Sequence, residues 1–104
     1  MIIVTTPNVE GHAITQVHGL ATGSTIRAKV IFKDIGASLK SMVGGELGSY
    51  TKMMQESREQ ALVRLEEDAA RLGGNAVVNM RIATSMVAQG SAEILAYGTA
   101  VTVE

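Results

Sequence analysis

The chain has 104 residues, with no Cys, no Trp, one Pro and only three aromatic residues, Phe32, Tyr50 and Tyr97. A cysteine-free chain excludes a disulfide scaffold, a thiolate metal site and a cysteine nucleophile. Nine basic residues against ten acidic ones give a formal charge of −1, without the basic excess that nucleic acid selects. A hydrophobic content of 46% is too high for a disordered chain.

No apolar run reaches the roughly 18 residues of a membrane helix. The stretch Met1-Ile2-Ile3-Val4-Thr5-Thr6-Pro7 lacks the charged region and cleavage site of a signal peptide. The expectation is one soluble cytoplasmic domain over residues 1–104, with neither nucleic-acid nor membrane partners. Its core must be built from methyl groups rather than rings. Small apolar side chains bury little area each, at about 25 cal/mol per Å², so self-association would add useful burial.

Ile2 to Thr6 reads as a short β-branched strand stopped by Pro7, with a turn at Asn8–Gly11. From Ile14 to Phe32 the pattern is strand-like, interrupted by Gly19 and Gly23. Glycines inside a strand mark a bulge, a bend or a close backbone approach. At Asp34 the period changes, and Ile35, Leu39, Met42 and Val43 predict a short helix. Gly44-Gly45-Glu46-Leu47-Gly48 then reads as a turn between helices.

Ser49 caps a long helix running to about Leu72, with the apolar stripe Met53, Met54, Ala61, Leu62, Leu65, Ala69 and Leu72. Its charged face offers Lys52–Glu56, Arg64–Asp68 and Glu67–Arg71 as i,i+4 pairs. Gly73-Gly74 ends it. Asn75 to Val87 alternates as a strand, with Ala76, Val78, Met80, Ile82 and Met86 sharing one face. After a turn at Gln89-Gly90-Ser91, Glu93 to Val103 forms its partner. That last strand is apolar on both faces and expects cover on both sides, one side being a candidate subunit contact. The order β, β, α, α, β, β predicts an α+β fold: an antiparallel sheet with two helices on one face.

Chemistry is sparse. His12 and His18, the only imidazoles, lie about 20 Å apart along an unbroken strand at roughly 3.3 Å per residue. One ion cannot join them within a chain, although symmetry in a ring could repeat either one. Glu66, Glu67 and Asp68 point in different directions from a helix and read as a solvated face. Glu46, in a glycine-rich loop, is the carboxylate best placed for a hard cation. The methionines follow the core stripes and do not mark a soft-metal site. Gly19-Leu20-Ala21-Thr22-Gly23 lacks the Lys-Ser/Thr pair of a phosphate loop. No Gly-x-Ser-x-Gly elbow or triad-like pattern supports catalysis.

Several of these features in order resemble the YbjQ-like family of small bacterial and archaeal proteins. They are Thr5-Thr6-Pro7; Gly19 and Gly23; Lys33-Asp34; Gly44-Gly45-Glu46 with Tyr50; Leu72-Gly73-Gly74-Asn75-Ala76-Val77-Val78; and Gly98-Thr99-Ala100-Val101. The resemblance spans nearly the whole chain. It implies a fold similar to the dodecin subunit, assembly into a ring-shaped homopentamer, and the family's heavy-metal-binding label. Where members commonly carry an acidic or aromatic pair in the third strand, this chain reads Ala83-Thr84-Ser85.

The resulting expectation is a homo-oligomer that binds a small ligand, a divalent metal ion being the candidate cofactor. Glu46 and Tyr50 are the leading positions, with His18 and Arg27 on the long strand. An assembly protein with no ligand of its own is the alternative. An enzyme whose site is shared between subunits is the third reading.

Overall fold

A computed structural model describes residues 1–27, 45–88 and 91–104. Four strands and one helix are described: β1 (Ile2–Ile3), β2 (Ile14–Arg27), α1 (Gly45–Arg71), β3 (Ala76–Ala88) and β4 (Ser91–Val103). They form an α+β fold whose sheet runs in the order β1-β3-β4-β2. The helix expected at Asp34–Val43 lies outside the described residues.

The sheet is mixed, and this corrects the antiparallel expectation. β2 and β3 both pair antiparallel with β4, but β1 pairs parallel with β3, Ile2 opposite Ala76 and Ile3 opposite Val77. Pro7 and the turn at Glu10–Gly11 redirect the chain after only two paired residues. The remainder of the segment stays tied to β3, since Val4 N donates to Val77 O and Met80 N to Val4 O.

Helix α1 starts at Gly45, so Glu46, Leu47 and Gly48 are helical and do not form the expected turn. Its other end follows the sequence signal. Gly74 N donates to Ala69 O at 2.9 Å and Gly73 N to Ala70 O at 3.0 Å, with Gly73 at φ +99°. These are the paired bonds of a glycine-terminated helix, which satisfy its last carbonyls.

The expected apolar stripe is the one that packs. Ala61, Leu65 and Ala69 are fully buried against Ala21, Val77, Ile94, Ala96 and Ala100, with Met54, Leu62 and Leu72 at the margin. The helix lies across β2 and β4. Its backbone passes so close to β2 that a Cβ at Gly23 would run into Leu65 N and Ala61 O, and would stand 2.7 Å from the carbonyl carbon of Arg64. Of the two strand glycines, Gly23 is therefore the close approach. Gly19, at φ +110° beside a register shift between Val17 and Gly19, is the bulge.

A second cluster lies on the other face of the sheet. Val9 folds under Ala76, Val78, Val101 and Val103, with Val4 and Ile14 beside them. The N-terminal segment thus provides the second cover that β4 demands, though only over one end.

In β3 the expected alternation breaks. Asn79 takes φ +53°, and the pairing slips between Val78 and Arg81. Val77 and Met80 consequently pack towards the helix while Ala76 and Val78 face the opposite cluster. Such a bulge inverts every side chain beyond it.

Candidate functional site

Of the four expected site residues, only His18 has a described side chain, and it lies at the far end of the helix from Glu46. Glu46 and Tyr50 sit on the first two turns of α1, and their side chains lie outside the described residues. Arg27 ends β2, and its side chain lies outside them as well. His18 is half-buried beside Gly73, just beyond the other end of α1. At about 1.5 Å per helical residue, His18 and Glu46 are separated by roughly 40 Å. No single ion can join them within one chain.

His18 is already engaged. Its Nε2 lies 2.7 Å from Thr102 Oγ1, and that hydroxyl donates onward to Gly73 O at 3.4 Å. With the Thr102 hydroxyl donating to Gly73 O, a proton on His18 Nε2 completes the bond to Thr102. The ring lies beside Gly73, where a Cβ would stand in ordinary van der Waals contact with His18 Cε1 at 3.4 Å; the glycine is needed for its φ of +99°. His18 thus ties β2 to β4 and to the helix exit. His12 is exposed in the segment before β2.

Among the described residues no group of three or more His, Asp or Glu side chains comes close enough to hold a metal ion. The described part of one chain therefore does not fit a resident metal.

The polar feature that does form was not expected from the sequence. A shallow depression of about 460 Å³ is lined by Thr22, Gly23 and Ser24 of β2 and by Arg64, Glu67, Asp68 and Arg71 of α1. The Thr22 amide donates to Asp68 Oδ2 at 2.9 Å, and Arg64 Nη1 donates to Ser24 O. Arg71 grips the other carboxylate oxygen, Nε at 3.1 Å and Nη2 at 2.7 Å from Oδ1. The Thr22 N–H, followed by the Arg71 hydrogen bonds, holds the Asp68 carboxyl below its ordinary value of 3.8.

These contacts revise two sequence readings. Asp68 is a strand-binding residue and does not belong to a merely solvated face. Its ion partner is Arg71 at i+3, not Arg64 at i−4, because Arg64 reaches across to β2. The described ion pairs do not include Lys52–Glu56 or Glu67–Arg71; Glu66 instead meets the N-terminal ammonium at 3.1 Å. The missed signal was Gly23 itself, since a helix backbone that close to a strand brings its neighbouring side chains over the strand's outer edge.

The face of the sheet away from α1 carries the other conspicuous feature. Beyond the Val9 cluster, Leu20 is 68% exposed, Ile26 61% and Tyr97 37%. The pairings Leu20–Thr99, Thr22–Tyr97, Ser24–Leu95 and Ile26–Glu93 place these residues on one continuous surface.

Comparison with known proteins adds the following. A family model described as "Putative heavy-metal-binding" matches residues 1–104. A UPF0145 protein of Methanosarcina acetivorans is 57% identical over 101 residues, covering 97% of this chain and 95% of that one. A Clostridioides difficile UPF0145 protein is 56% identical, covering 100% and 93%. One from Pyrococcus furiosus is 52% identical, covering 100% and 91%. Among solved structures, a Pediococcus pentosaceus protein of unknown function from the DUF74 family superposes with a TM-score of 0.59 at 19% identity. The alignment covers 100% of this chain and 98% of that one, a likeness of fold alone.

Proposed function

The chain belongs to the YbjQ-like, UPF0145 family, and from that premise we propose that it works as a closed homo-oligomer that binds a small ligand. The observation that carries the assembly is the half-covered sheet. Val9 and its neighbours shield one end of the face away from α1, and Leu20, Ile26 and Tyr97 continue that face into solvent. Contiguous exposed apolar surface of this kind marks an interaction site. A second copy of the chain is proposed to complete the cover, and the family resemblance supports a five-membered, dodecin-like ring in the cytoplasm as the closed form.

The ligand site is proposed at the start of α1, where Glu46 supplies a carboxylate and Tyr50, one turn on, a phenol. Arg27 is the cationic candidate nearest that end of β2. His18 takes a structural role through Thr102. Among the described residues no metal-binding set gathers, and residues of neighbouring copies are proposed to complete a site for a divalent ion. The alternative is an assembly protein with no ligand of its own.

A thermal-shift panel of divalent ions tests the reading. The proposal expects stabilisation by at least one ion that is lost in Glu46→Ala and kept in His18→Gln. No stabilisation by any ion would leave the assembly reading in its place.

A further inference from the structure

We propose that Arg64 and Asp68 lock the outer edge of β2 against strand addition, so that self-association ends in closed assemblies and does not extend edge to edge. Among the described strands β2 is the terminal one of the sheet, and it is 14 residues long. A long edge strand offers unpaired N–H and C=O groups as a template for another chain. Proteins ordinarily blunt such an edge with Pro, Lys or other charges in the strand itself. From Ile14 to Ile26 this strand contains no Pro, Lys, Arg, Asp or Glu. It is instead rich in Thr, Val, Ile and Leu, with Leu20 and Ile26 well exposed.

The first half of the edge is spoiled by its own geometry. Register shifts between Ile14 and Gln16 and between Val17 and Gly19 interrupt the regular spacing that a second strand would need. From Gly19 to Arg27 the pairing with β4 runs without a shift, and this is the stretch that needs protection. In an antiparallel strand, alternate residues turn both backbone groups outward. Thr22 and Ser24 are two successive outward residues, and α1 occupies one group of each: Asp68 takes the Thr22 N–H and Arg64 takes the Ser24 carbonyl.

The match follows from the two repeats. Arg64 and Asp68 are four residues apart, about 6 Å along a helix. Thr22 and Ser24 are two residues apart, about 6.6 Å along a strand. Gly23, between them, lets the helix backbone press against the strand, which brings both side chains within reach. Arg71 holds Asp68 Oδ1 from the far side and leaves Oδ2 aimed at the strand. The gatekeeping charges absent from the strand are thus supplied by the helix.

Amide hydrogen exchange and sedimentation velocity, on the full chain, test the lock. In Asp68→Ala the Thr22 amide is expected to exchange about tenfold faster while core amides of β4 hold their rates, since only a local bond is lost. The folded Arg64→Ala/Asp68→Ala variant is expected to form species larger than the wild type, growing with concentration. Adding Thr22→Lys, which places a charge on the edge, should reverse that growth. An unchanged Thr22 exchange rate in Asp68→Ala overturns the proposal. So does a folded double variant that sediments as the wild type at every concentration. If the double variant does not fold, Arg71→Ala decides: the proposal requires faster Thr22 exchange there too, and an unaltered rate contradicts it. The wild-type sedimentation itself reports on the ring, so failure of the lock and failure of the assembly reading are separate outcomes.

Discussion

Gly23 packs against the backbone of α1 at Leu65: a Cβ on Gly23 would collide with the Leu65 amide nitrogen. The clash would be with main chain on both sides, so no rotamer change can relieve it. Gly23→Ala must push α1 off β2, at a cost of about 3 kcal/mol, the upper range for overpacking. Gly19→Ala is the contrast. Nothing lies within 4 Å of a Cβ there, and only its φ of +110° is unfavourable, which costs about 1–2 kcal/mol. Urea denaturation of the two variants should order them in that way, and equal losses would remove the close approach as the reason for Gly23.

Asp68 links stability to pH in a defined direction. Its carboxyl is held below 3.8 in the folded chain by the Thr22 N–H and by Arg71. A carboxyl with a lowered folded value stabilises the protein above its unfolded value, and loses that contribution as pH falls through the folded value. The wild type should therefore exceed Asp68→Asn in stability by a constant margin near neutrality. The margin should start to shrink as pH approaches 3.8 and vanish below the folded value. A margin independent of pH down to strong acid would show that the charge of Asp68 is not involved.

Asn75 extends the β3–β4 ladder with its side chain. Its Nδ2 donates to Val103 O at 3.0 Å, and Val103 N donates to its Oδ1 at 2.8 Å. Asn75→Ala leaves two strand groups without these partners and should cost about 2 kcal/mol. Asn75→Asp keeps the acceptor and loses the donor, so its loss should be smaller at low pH, where the acid carries a proton. Chemical denaturation at two pH values distinguishes the variants. A loss in Asn75→Ala no greater than that of an ordinary surface substitution would contradict the pairing.

The exit of α1 was legible in the sequence because Gly73-Gly74 has a local meaning, and the structure gives those two amides the bonds that meaning requires. The stripe Ala61, Leu65 and Ala69 was legible for the same reason, a helical period read along one element. What was not legible depends on a second element. Asn79 takes a left-handed backbone and inverts β3, yet neither neighbouring residue signals a bulge. Asp68 appeared to belong to a solvated face, since nothing in its own helix reveals the Thr22 amide. Parallel pairing of β1 with β3 joins residues more than seventy positions apart, beyond any local pattern. Of the four candidate site residues, only His18 has a described side chain, and its partner Thr102 lies on another strand.

The His18–Thr102 bond should appear as a coupling. A double-mutant cycle with His18→Ala and Thr102→Val should return about 1 kcal/mol, and neither variant should alter the assembly state. A zero coupling would leave His18 without its structural role and return it to the list of candidate ligands.

If copies of this chain cover the open face of its sheet, native mass spectrometry of the untreated protein will read the assembly out. One closed species is expected, five copies in the ring, that dissociates when Leu20 and Ile26 are both replaced by Glu. A wild-type protein that remains a monomer at every concentration would contradict it.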